Sequence, residues 1–326
     1  MVRASLGVLA ASLFACGPLP CKSPEQRARL AQSVASPEPA VYHAYEYFQG
    51  DEYEEFDFVF VGEGGRVLRF ADEQMHVIHT GTTATLRGMT SGSAPPLVVA
   101  VGDGGAVQRS YDYGHSWSPG DSGTQADLHG VELADGLEGG RFAVAVGDGV
   151  VLRSFDDGAT WSPATLPTGA ERLRDVRKGG DGWLAIGEHG VILTATYDAD
   201  VWYPSASPTD QDLRRFSDAG ILGANGLLLT GGPGDWQPVE LPWSGEIADA
   251  TTYTLVMRDG RMAIAKDSFD PTYVPLPVED PLPAIQRRIW ETEDGVRLLA
   301  EDGSIHQVDF VYVDTVTEEV CVPAAE

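Results

Sequence analysis

The chain has 326 residues, 49 of them acidic and 22 basic, for a formal net charge of -27, with 38 glycines, 21 prolines and three cysteines. Such acidity repels nucleic acid and anionic lipid headgroups, so neither is expected as a partner. Hydrophobic residues make up 43% of the sequence, which at this length suffices for a large folded core.

Residues 1–16, MVRASLGVLAASLFAC, combine one basic residue, an apolar stretch and small residues at its end. This is the grammar of an export signal and is too short for a membrane span. The closing Leu13-Phe14-Ala15-Cys16 resembles a bacterial lipoprotein processing box, which implies Cys16 as the lipidated first residue of the mature chain. Phe14 is larger than the residue usual there, so cleavage by an ordinary signal peptidase stays open. Gly17 after the cysteine resembles lipoproteins sent to an outer membrane, facing the periplasm or the cell surface. Residues 17–40 are expected to be a flexible tether, since Lys22 to Ala40 are rich in Ser, Pro, Glu and Gln without periodicity. With Cys16 lipidated, Cys21 and Cys321 remain. A disulfide between them would join the two ends of the domain in an oxidising compartment, the alternative being a free Cys21.

From residue 41 to 326 one phrase returns seven times. It reads FVFVGEGGRVLRF at Phe58 to Phe70, VVAVGDGGAVQRS at Val98 to Ser110 and FAVAVGDGVVLRS at Phe142 to Ser154. Further copies run from Trp183 to Ala195, Ile221 to Thr230, Thr254 to Ala265 and Val296 to Val308. Each is a pair of short apolar runs split by a Gly, Asp, Glu or Asn cluster, which predicts a hairpin. From Gly62 through Gly102, Gly147, Gly187 and Gly223 to Met257 and Ala300 the steps are 40, 45, 40, 36, 34 and 43 residues, the length of a four-stranded blade. An aromatic segment follows each of the first five hairpins as the expected outer strand, at His76 to His79, Trp117, Trp161, Trp202 and Trp236. Segments opening at Leu86, Leu128, Leu173 and Leu213 are the expected inner strands of the next blades. Val41 to Phe48 would supply the first inner strand, and Phe310 to Thr315 would end the last blade. The fold class is therefore all-β, a seven-bladed β-propeller of four-stranded antiparallel blades, expected as a monomer. An open solenoid or a sandwich would use similar strands, but a phrase recurring at one phase of each unit favours the ring. On this count every blade is contiguous chain, and something other than a borrowed strand must hold the ends together.

Some basic residues recur against the acidic background. Arg69, Arg109 and Arg153 share one position of the hairpin's second run, while Arg87, His129, Arg174 and Arg214 each follow the Leu that opens an inner strand. Inner strands line a propeller's channel, so this second series is a candidate binding patch for an acidic peptide or anion. Pairing with local carboxylates is the alternative. The acidic run Glu46, Asp51, Glu52, Glu54, Glu55 and Asp57 reads as a solvated edge loop.

Ser110-Tyr111-Asp112-Tyr113-Gly114-His115-Ser116-Trp117 and Ser154-Phe155-Asp156-Asp157-Gly158-Ala159-Thr160-Trp161 resemble the Asp-box, or BNR repeat. In this pattern the Asp accepts backbone N–H groups, the Gly takes a turn shape closed to side chains, and the Trp packs into the blade seam. Ser110, Asp112, Gly114, Trp117, Ser154, Asp156, Gly158 and Trp161 would be its structural residues, with a degenerate copy at Thr196 to Trp202. With the preceding Gly-Asp-Gly phrases, the stretch from Phe58 to Trp202 resembles the Ycf48-like branch of exported BNR-repeat propellers. That resemblance implies a non-enzymatic assembly factor with an arginine-rich surface, for which Arg87, Arg174 and Arg214 are candidates and from which His129 departs. The expected partner is an envelope protein or peptide, with membrane attachment through the lipid anchor.

A carbohydrate-active enzyme of sialidase type is the alternative, because sialidases also carry Asp-boxes. It needs three arginines converging on a carboxylate, a Tyr activated by a Glu and an acid–base Asp. Arg287, Arg288, Tyr253 and Tyr273 are present, with no local arrangement that selects them. No catalytic residue, metal ligand or cofactor is expected. The histidines lack metal spacing and no Gly cluster opens a phosphate loop, although a Ca2+ ion in a blade turn such as Gly102-Asp103-Gly104 stays open.

Overall fold

The computed structural model describes residues 22–35, 42–49, 56–71, 74–93, 96–135, 141–170, 172–180, 182–267, 270–279, 281–292 and 295–316. They form seven four-stranded antiparallel sheets, the blades of a propeller. Blade one comprises Tyr42–Gln49, Phe56–Gly62, Arg66–Ala71 and Gln74–His79. Blade two comprises Leu86–Ser93, Pro96–Gly102, Val107–Ser110 and Ser118–Pro119. Blade three comprises Leu128–Asp135, Arg141–Gly147, Val150–Ser154 and Ser162–Pro163. Blade four has Leu173–Lys178, Trp183–Gly187, Ile192–Ala195 and Trp202–Pro204. Blade five has Leu213–Ser217, Gly220–Gly223, Leu228–Thr230 and Gln237–Pro238. Blade six has Ile247–Ala250, Thr254–Met257, Met262–Asp267 and Asp270–Leu276.

Blade seven corrects the expected closure. Its inner three strands are Ile285–Thr292, Gly295–Ala300 and Ile305–Val316, and its fourth is Lys22–Val34, from the far end of the chain. That strand pairs antiparallel from Lys22 opposite Val316 to Val34 opposite Ile305. The ring is thus closed by a borrowed strand, and the expected tether is β-structure over Lys22–Val34. Ala28 is also stitched to blade six: its N–H donates to Pro277 O at 2.8 Å, and Glu279 N–H donates to Ala28 O at 2.9 Å. Cys16, Cys21 and Cys321 lie outside the described residues, as does most of the acidic run around residues 51–55.

Each hairpin's first run packs on both faces, which is why it reads as unbroken apolar sequence. In Pro96–Gly102 every residue after the first is buried. Seven apolar clusters fill seven seams. Val61, Leu86 and Val98 fill the seam between blades one and two, for example, and Phe58, Phe60, Leu299 and Ile305 fill that between blades one and seven. Each fully buried Val, Leu, Ile or Phe contributes about 1.5–3 kcal/mol. In blades two, three and five the outer strand starts one residue after the Trp expected within it.

The recurrent Gly-x-Gly-Gly turn has a steric cause. A Cβ on Gly102 would lie 2.0 Å from Thr85 O, and one on Gly105 would lie 2.3 Å from Thr124 O in the linker to the next blade. The turn is therefore wedged between two carbonyls that only glycine admits.

Candidate functional site

Inner strands begin at the same end of the ring as the turns joining second and third strands, and this end is called the mouth here. In all seven blades the inner strand slips register one residue after its start: between Tyr42/Ala44, Leu86/Gly88, Leu128/Gly130, Leu173/Asp175, Leu213/Arg215, Ile247/Asp249 and Ile285/Arg287. The skipped residue is a β-bulge, which re-aims a side chain away from the pleat. Arg87, His129, Arg174 and Arg214 are the bulge residues of blades two to five, so four successive blades bring the candidate patch to one mouth.

There each meets a carboxylate. Arg87 Nη2 donates to Asp103 Oδ2 at 3.0 Å while Nε faces Oδ1, and this guanidinium holds the Asp103 carboxyl below its usual range. Arg174 bonds Glu188, which Arg172 also contacts at 3.3 Å, and the Arg174 bond depresses the Glu188 carboxyl likewise. Arg214 pairs with Glu246, and Arg258 extends the series by pairing with Glu301 at 2.9 Å. His129 Nε2 lies 3.0 Å from Asp148 Oδ1 and 2.9 Å from Arg174 Nη1. One ring nitrogen serves only one of these at a time, accepting from Arg174 when bare and donating to Asp148 when protonated. Burial pushes this imidazole below its ordinary pKa, against the pull of Asp148.

Carboxylates of the next linker also cap the mouth turns, namely Asp127, Asp212 and Glu246, the last being also the partner of Arg214. Gly104 N–H donates to Asp127 at 2.7 Å, His189 N–H to Asp212 at 2.9 Å, and Asn225 N–H to Glu246 at 3.1 Å. The mouth is consequently a ring of paired charges and not the unpaired positive cluster that the arginine series alone suggests. Deeper along the inner strands, burial and the neighbouring Asp175 raise the Glu132 carboxyl to about 7, against the pull of Arg177.

The other arginine series ties blades at the opposite end of the ring. Arg153 Nη1 donates to Asp198 O at 3.2 Å and Nη2 pairs with Asp200 at 2.6 Å, both in the next blade. The Arg109 stem lies beneath Gly158 of the next blade. In the two loops that match the Asp-box pattern, Ser116 N–H donates to Asp112 at 2.8 Å and Thr160 N–H to Asp156 at 2.9 Å. Ser110 and Ser154 each accept the N–H of Gly114 or Gly158 at 2.9 Å, and Trp117 and Trp161 donate to those glycines' carbonyls.

The residues weighed for sialidase chemistry are scattered. Tyr273 is buried with its hydroxyl donating to Thr251 O, Tyr253 is exposed in the turn before Thr254, and Arg287 and Arg288 sit on blade seven's inner strand. Among the described residues no three His, Cys, Asp or Glu side chains gather as a metal site. Sequence reasoning offers pairing with local carboxylates as the alternative for this series, without singling out Asp103, Asp148 and Glu188 as the partners of Arg87, His129 and Arg174. The signal was present, because each acid follows the Gly of the turn phrase in its own blade.

No protein-family model and no curated protein matches the sequence. Solved structures do match in fold. A chain described as YCF48 bound to D1 peptide has a TM-score of 0.63 at 13% identity, covering 85% of this chain and 94% of that one. YCF48 from Cyanidioschyzon merolae has a TM-score of 0.63 at 17% identity, covering 86% and 98%. The WD40 β-propeller domain of Doa1 has a TM-score of 0.58 at 11% identity, covering 86% and 97%.

Proposed function

We propose that the chain is a non-enzymatic, monomeric binding scaffold of the bacterial cell envelope, held on the outer membrane through lipidated Cys16. It takes an envelope protein or peptide at the ring's mouth and assists assembly of a membrane complex. The observation that carries this reading is the bulge repeated in seven blades, which aims Arg87, His129, Arg174 and Arg214 at one opening. A rigid ring of paired charges favours a polypeptide over a simple anion, since both signs are presented at fixed spacing and like-charge mismatch rejects wrong partners. The likeness in fold to a chain solved with a D1 peptide supports the same reading. If Cys16 carries the lipid, only residues 17–21 separate it from the closing strand at Lys22. At no more than about 3.6 Å per residue, that holds the ring close to the membrane.

The test is capture of clients from detergent-solubilised envelopes with the anchor retained, comparing wild type with an Arg87→Glu, Arg174→Glu double variant. A stoichiometric envelope polypeptide lost in the variant is the expected result. Equal capture by both proteins would overturn the mouth as the binding face.

A further inference from the structure

We propose a second interaction surface on the end of the ring opposite the mouth, formed by the two Asp-box-like loops of blades two and three, that docks a basic polypeptide segment. The turns joining third and fourth strands lie at this end. Their frames are fixed by the Ser, Asp, Gly and Trp contacts given above, and none of those contacts uses the residue between the Ser and the Asp. That residue is nevertheless Tyr111 in one loop and Phe155 in the other, 47% and 65% exposed, and Tyr113 beside them is 43% exposed. Tyr113 also holds a left-handed backbone, at φ 55°, a conformation that bulky residues rarely adopt and that costs free energy.

The aromatic groups are contiguous across the blade boundary. Tyr111 Oη lies 3.5 Å from Asp157 Oδ2 of the neighbouring loop, two residues after Phe155. Phe155 rests on Phe142 with ring centroids 4.8 Å apart, so it is supported from beneath and open above. Rings held on a locked frame lose little conformational freedom on binding, which is the property of interface anchors.

The sign of the surface follows from which partner of each ion pair reaches solvent. In Arg141–Asp157 the side chains are 13% and 32% exposed, and in Arg153–Asp200 they are 16% and 53% exposed. The guanidiniums lie underneath and the carboxylates face out. Solvent therefore meets aromatic rings flanked by carboxylates. Arg153 lies 5.9 Å from the Phe155 centroid and Arg109 Nη1 donates to Tyr111 Oη at 3.4 Å, so the outward carboxylates supply the attraction for Lys or Arg, whose alkyl stems lie on the rings. An acidic segment meets Asp157 and Asp200 and is repelled, while a neutral glycan can donate hydroxyls to the carboxylates but has no net charge for them to attract.

The probes are a fluorescently labelled (Lys-Leu)4 peptide, its (Glu-Leu)4 counterpart and a neutral oligosaccharide, titrated against the whole protein. The expected result is binding of the lysine peptide alone, weakened at least tenfold by Tyr111→Ala with Phe155→Ala. Hydrogen exchange on the unmutated protein supplies a second readout, with protection expected within residues 110–117 and 154–161. Lysine-peptide binding that ignores loss of the two rings would reduce the effect to bulk acidity and overturn the proposal. Preference for the glycan or the acidic peptide, or protection confined to the mouth, would overturn it equally.

Discussion

Ala28 is the position where the borrowed strand is most exacting. It is fully buried in the cluster of Val256, Met262, Leu276, Ile285, Val296 and Val308, and its backbone bonds to blade six while its strand pairs with blade seven. Ala28→Asp places a carboxylate in this apolar seam with no cationic partner among the cluster's side chains. The effective cost of burying such a charge is several kcal/mol, reduced here by protonation of the group or outward displacement of the strand, so about 3 kcal/mol is expected at neutral pH. For a chain of this size that lowers Tm by roughly 6–12 °C, at about 2–4 °C per kcal/mol. Ala31 is exposed at the register slip of the same strand, and the identical change there, Ala31→Asp, is expected to stay within about 0.5 kcal/mol, as surface substitutions do. Calorimetric melts of both variants and wild type make the comparison. Equal melting of the two variants would refute the closure, because in a solvated tether the two alanines are equivalent.

Three other outcomes follow from particular contacts. A Cβ on Gly88 would sit 2.8 Å from His129 O and 3.0 Å from Gly130 Cα, so Gly88→Ala forces blade three outward. It is expected to cost about 1–3 kcal/mol, measured by urea unfolding. Ser154 is buried, accepts Gly158 N–H and donates to Asp156 at 2.8 Å. Ser154→Ala leaves that N–H unmet at about 1–3 kcal/mol, and hydrogen exchange at Gly158 should rise with the loss. Glu132 has a folded pKa raised to about 7 from an ordinary 4.5, so the folded state keeps its proton while the unfolded state loses it. Stability from this group is present below pH 4.5 and lost as pH rises to about 7. Glu132→Gln should therefore stabilise the protein at pH 8 by up to about 3 kcal/mol, at roughly 1.4 kcal/mol per pH unit, and leave it unchanged at pH 4, as followed by melts at both values.

The hairpins were legible because two-sided burial writes itself into sequence as apolar runs, and because the wedged turn glycines punctuate each run at one phase. The closing strand was not legible for the converse reason. An outer strand buries little: Ala28 is buried in Lys22–Val34 while Arg29, Ala31 and Ser33 are exposed, so its composition is that of a linker. It also lacks the repeat phrase, and its partner lies nearly 300 residues away. At the mouth, the spacing after each Leu picked out residues that share the bulge position, but a bulge has no composition of its own, and the pairing that neutralises the arginines depends on turn geometry. Asp103, Asp148 and Glu188 read as turn formers until the fold set them beside Arg87, His129 and Arg174.

The central claim, that a polypeptide is held at the mouth, is tested most directly by a photocrosslinking side chain placed in turn at Arg172 and at Tyr203. Arg172 is 61% exposed beside Glu188 at the mouth, and Tyr203 is 57% exposed on the outer strand of the same blade. Irradiation of intact envelopes should yield one discrete protein adduct from position 172 and none from position 203. Adducts from position 203 alone, or equal diffuse labelling from both, would contradict the account.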